Sequence, residues 1–95
     1  MSVYFMASIR MKSEQEYERY LEHSEKIFNR YRGTYLAVDD KPEVLEGEWN
    51  YSRAVLISFD TRKDFNAWYR SEEYQEILRH RLFAAECDSI LIQGN

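Results

Sequence analysis

The order of elements legible in this 95-residue chain predicts an α+β fold of ferredoxin-like plan, βαββαβ, with a four-stranded antiparallel sheet carrying its helices on one face. Three observations lead there. Two helical runs each open on a Ser or Thr cap; short runs of branched and aromatic residues flank them; and the first such run has one wholly apolar face. At this length the chain is read as a single domain, 1–95, whose surface is large relative to its core. A second subunit would ease that burden.

Residues 3–9, VYFMASI, are followed by a polar break and read as the first strand. Ser13 and Glu16 have the spacing of a capping box, in which each side chain satisfies a free backbone N–H at a helix start. Behind them Tyr17, Tyr20, Leu21, Ser24, Ile27, Phe28 and Tyr31 recur at helical spacing. Gly33 can take the left-handed cap conformation, so the helix is expected to run to about Arg32. TYLAV at 34–38 is a second strand, and Asp39, Asp40 and Pro42 turn the chain. EVLEGEW at 43–49 reads as an extended hairpin arm interrupted by Gly47. RAVLISF at 53–59 is the most strand-like run, Thr61 with Asp64 caps a second helical region, and SILIQ at 89–93 closes the chain as the last strand.

The second helical region holds two apolar stripes out of phase. Phe65, Trp68 and Tyr69 form the first; Tyr74, Ile77 and Leu78 repeat it nine residues later, and nine steps of ~100° turn the second stripe about half a turn away. One straight helix cannot bury both. Ser71 sits at the join and can cap a fresh helix, which predicts a break between Arg70 and Glu72.

Composition excludes several classes of function. With 17 acidic and 13 basic residues the formal charge is −4, and the cations are scattered, which argues against nucleic acid and acidic membranes as partners. The longest apolar runs, such as AVLI at 54–57, fall far short of the ~20 residues of a membrane helix. A lone Cys87, and an N-terminus without the features of a secretory signal, make the cytoplasm the expected location. Neither His23 nor His80 has metal-ligand company, so no metal site is expected.

Strand alternation suggests how the chain assembles. Val3, Phe5, Ala7, Ile9 and Met11 form the apolar face suited to the helices, while Tyr4, Met6, Ser8 and Arg10 point the other way. By the same alternation Tyr35 and Ala37, Ala54, Leu56 and Ser58, and Leu91 and Gln93 are assigned to that second face. It is too apolar for open water, which points to a homodimer joined through the sheet face. The plainer reading is a monomer that solvates one side of its sheet.

RGTYLAVDDKPEVLEGEW at 32–49, SRAVLISFD at 52–60, AWYRSEEYQ at 67–75, Arg81 and the ending QGN together resemble the bacterial domain-of-unknown-function family 1330. The chain differs from that family's pattern at Arg32, Asp39, Asp40, Tyr51 and Ser58. The resemblance implies a dimeric α+β barrel, akin in fold to antibiotic-biosynthesis monooxygenases and muconolactone isomerases. It supplies no reaction.

Arg81 is the leading site candidate, because it shares the stripe of Tyr74, Ile77, Leu78 and Ala85 while Arg79 and His80 fall outside it. An inward guanidinium can hold a ligand's carboxylate or enolate; set against this, cations on apolar stripes usually snorkel to the surface or pair with an acid. Tyr4, Ser8, Tyr35 and Ser58 offer hydroxyls on the second sheet face, and Trp49 is a pocket wall or a dimer contact. Cys87 reads as a packing residue, and Trp68 and Tyr69 as core. The expected function is a homodimer that binds or transforms a small anionic or carbonyl-containing metabolite without a tightly bound cofactor. The alternative is a non-catalytic dimeric interaction module with no small-molecule site, and a cavity beside Arg81 discriminates between them.

Overall fold

The computed structural model describes residues 2–95. Its elements are β1 (Val3–Met11), α1 (Glu14–Phe28), β2 (Gly33–Asp39), β3 (Arg53–Phe59), α2 (Arg62–Tyr69), α3 (Glu72–Ala84) and β4 (Ala85–Gln93). All strand pairs are antiparallel, in the order β2-β3-β1-β4. This is the ferredoxin-like βαββαβ plan, with the second helical region split in two as the phase of its stripes requires. Ser71 makes the split: its hydroxyl accepts from the N–H of Tyr74 at 3.1 Å and donates to the carbonyl of Trp68 at 2.8 Å, closing one helix while opening the next. Among the described residues no helix is long and apolar enough to cross a membrane.

The core lies between the helices and the face of the sheet carrying Val3, Phe5, Ala7, Ile9, Ile57 and Phe59, all buried. Trp68 centres its aromatic part, stacked on Phe59 with ring centroids 5.5 Å apart and edge-on to Phe28 at 5.5 Å. Gly33 belongs to this packing. A Cβ there would lie 2.5 Å from the Phe28 ring and 2.7 Å from the Phe59 ring, so the absence of a side chain lets the strand pass close to the core.

That is a different role from the one expected of Gly33. Helix α1 stops at Phe28, Asn29 caps it in right-handed conformation, and a turn separates it from β2; the positive φ falls at Gly47 instead. The expected reciprocal cap is also only half formed. Ser13 Oγ accepts from Glu16 N–H, but the N–H of Ser13 donates to the Ala84 carbonyl at 2.9 Å, tying the end of β1 to the end of α3. Residues 43–49 pair with no strand, because Pro42 and the left-handed Gly47 bend the segment away from the sheet edge.

Two face assignments are overturned. A bulge between Tyr35 and Ala37 reverses the alternation in β2, so Tyr35 pairs with Ile57 on the helix side while Ala37 pairs with Leu56 on the open side. Strand β4 begins at Ala85 and its register sets Leu91 opposite Phe5 and Gln93 opposite Val3, again on the helix side. Ile90, Leu91 and Ile92 are consecutive apolar residues, so pattern alone could not set their parity. The open face therefore carries Tyr4, Met6, Ser8, Ala37, Ala54, Leu56, Ser58, Ile90 and Ile92.

Candidate functional site

Helix α1 and the β2–β3 side of the sheet enclose a cavity of about 370 Å³. Sheet residues Phe5, Ala7, Val55 and Ile57 give it an apolar floor; α1 supplies Tyr17, Tyr20, Leu21 and Ser24, with Glu25 and Asn29 at the rim. Arg81 and Trp68 reach it from the split helical pair, and Tyr35, Val38 and Arg53 from the outer strands. An opening thus exists beside the predicted inward cation.

Arg81 is 3% exposed, neither snorkelled nor paired. Its Nε has no hydrogen-bond partner, and among the described residues its guanidinium joins no ion pair. What it has is a ring: its Cζ lies 5.6 Å from the Tyr20 centroid. The phenols of Tyr20 and Tyr74 share a buried hydrogen bond of 2.7 Å, so the aromatic wall around the cation is itself held in place. Burial drives the Tyr20 phenol well above its ordinary pKa, with Tyr74 adding to the effect. Burial likewise pushes Tyr74 up to about 12 against the opposing pull of Arg81. Tyr17 also rises through burial, moderated by Arg53. At neutral pH these groups are protonated donors. Glu25, at the exposed rim, is the one carboxylate among the lining residues.

Arg53 also lines the cavity, with its Cζ 5.5 Å from the Tyr17 ring. Unlike Arg81 it is engaged: Nε donates to Asp40 Oδ1 at 2.6 Å and Nη2 to Oδ2 at 3.3 Å, a two-point pairing of fork and carboxylate.

The six candidate residues divide between the two sides of the sheet. Arg81 and Tyr35 line the cavity. Tyr4 and Ser58 face each other across the β1–β3 pair on the open side, and Ser8 and Trp49 line a second groove of about 470 Å³ between the 40–52 loop and that same side. The sheet lies between the two groups, so they do not converge on one ligand. Trp49 packs on Tyr51 at 5.3 Å. Cys87 is half-buried opposite Ile9, and His80 lies 3.7 Å from Glu16, away from the cavity lining. Sequence reasoning missed Tyr17, Tyr20 and Ser24 as a site, although three hydroxyls on a core stripe are a visible signal. It also passed over Arg53, which shares the alternation of Val55, Ile57 and Phe59 and so had to point to the helix side.

A four-stranded antiparallel sheet in the order β2-β3-β1-β4 with its helices on one face defines the class of ferredoxin-like α+β proteins. Within it, the chain belongs to the family described as Domain of unknown function (DUF1330), matched over residues 2–95. Solved structures with the same fold include a Rhodopseudomonas palustris protein of unknown function, 17% identical, with TM-score 0.77 over 99% of this chain and 82% of that one. A dimeric ferredoxin-like protein of unknown function from Thermobifida fusca YX is 16% identical, with TM-score 0.69 over 99% and 92%. SnoaB, a cofactor-independent oxygenase from Streptomyces nogalater, is 12% identical, with TM-score 0.71 over 99% and 93%. No curated protein matches the sequence. At these identities the likenesses establish fold.

Proposed function

We propose that the protein is a cytoplasmic homodimer that binds a small anionic or carbonyl-bearing metabolite in the Arg81 cavity, with no tightly bound cofactor. One observation carries this reading: a guanidinium that is 3% exposed, unpaired, and open to an apolar cavity large enough for a small organic acid. A buried charge without an acid partner is costly, and the cost is offset when a ligand's carboxylate oxygen meets it. The neighbouring protonated phenols favour the same charge, and an apolar floor suits the ligand's body. The set is rich in donors and poor in proton acceptors, which suits recognition of a ligand that arrives already anionic. A cofactor-independent oxygenase on this fold supports a reading without a bound cofactor. The test is a thermal-shift screen of small organic acids and ketones, because a ligand of the native state raises its apparent stability. Acids should stabilise the wild type and leave Arg81→Met unmoved; equal shifts in both would refute the site.

Assembly through the open sheet face is supported by Met6, Ile90 and Ile92, which are between 38% and 56% exposed there, and by neighbours described as dimeric. Leu56 lies on this face between Met6 and Ala37. Light scattering should report twice the chain mass for the wild type at micromolar concentration and a monomer for Leu56→Glu; a monomeric wild type would sink the proposal.

A further inference from the structure

We propose that the cavity discriminates between singly and doubly charged ligands and that Asp40 sets the choice; this rests on Arg81 being the anchor of the site proposed above. Two cations flank one pair of rings. The centroids of Tyr17 and Tyr20 are 5.6 Å apart on α1, with Arg81 over the second ring and Arg53 over the first. In charge alone this lining would suit a ligand with two anionic groups.

The two cations are not equally available. Arg81 has no acid partner, whereas Arg53 already holds a carboxylate in the two-point geometry that a ligand's second carboxylate would adopt. Arg53 also holds the Asp40 carboxyl below its ordinary pKa, so that charge is present throughout the neutral range. Asp40 therefore takes up, from the solvent side, two of the Arg53 donors that a second ligand anion would need. Glu25 at the rim adds a further negative charge against one. A monoanion meets one free cation and an apolar floor; a dianion must compete with Asp40 for the second cation.

The pair is solvent-exposed on the Asp40 side, so its influence is modest: an exposed ion pair shifts an equilibrium by at most about fivefold. The experiment compares phenylacetate with phenylsuccinate at neutral pH, by calorimetry on the wild type, Asp40→Asn, and Asp40→Asn combined with Arg53→Gln. The wild type should bind phenylacetate more tightly. Asp40→Asn should raise the ratio of phenylsuccinate to phenylacetate affinity by about two- to fivefold, and the added Arg53→Gln should return that ratio to the wild-type value. Phenylacetate binding with a ratio unmoved by Asp40→Asn would overturn the role of Asp40 and leave the Arg81 site standing. Failure of both acids to bind any of the three proteins at millimolar concentration would overturn the site and the discrimination together.

Discussion

Replacing Arg81 by Met should make the unliganded protein more stable while abolishing its response to organic acids. The side chain is 3% exposed, its Nε has no partner, and among the described residues no acid answers its charge. A buried donor left unmade costs about 1–3 kcal/mol, and the Tyr20 ring returns about 0.5–2 kcal/mol of that through its face. Met keeps an unbranched apolar stem, two atoms shorter and ending at the cavity, and brings no donor into the core. The net expectation is a gain of about 1 kcal/mol, which in a chain of this size raises Tm by roughly 4–8 °C. The assay is a thermal melt of both proteins with and without added acid, with circular dichroism to confirm the same fold. A Tm lowered by a comparable amount would refute the reasoning, since it would mean that Arg81 holds the structure together through interactions that outweigh its buried charge. A gain in stability joined to a loss of ligand response is the signature of a residue retained for function.

Alkali should unfold the protein through its buried phenols. Burial raises Tyr74 from an ordinary 10.0 to about 12, so its contribution to stability is complete below pH 10 and is lost as the pH climbs through 12; spectrophotometric titration should find a group of late-ionising tyrosines, with Tyr20 and Tyr35 among them, that Tyr74→Phe reduces by one. Gly33→Ala should destabilise by about 1–3 kcal/mol in urea unfolding, because its Cβ would press on the rings of Phe28 and Phe59; a change under about 0.5 kcal/mol would mean that β2 shifts freely. Ser71→Ala should cost about 1 kcal/mol by the same measurement, since it uncaps α3 and leaves the Trp68 carbonyl without its hydroxyl donor. Ser71→Asp should recover most of that loss, and equal losses in both variants would show that the cap is not the cause.

What the sequence determined by itself was most of what near neighbours govern. The caps at Ser13, Thr61 and Ser71, the half-turn slip between the Trp68 and Tyr74 stripes, and the inward aim of Arg81 all follow from spacing within a single element. Tertiary structure decided what depends on pairing between distant segments. The bulge at Tyr35 to Ala37 exists only against β3, and it carried Tyr35 from the open face into the cavity. The side taken by Leu91 waited on a nine-residue register with β1. Gly33 looked like a cap and is a gap left for two rings that come from α1 and β3. The site followed the same division. Periodicity pointed Arg81 inward, but whether an acid would meet it there, and that Arg53 would find Asp40 thirteen residues away, were set by the packing of helix against sheet. Short-range order follows from local stereochemistry and hydrogen bonding, whereas the partner of a buried charge is fixed only when separate elements close around it.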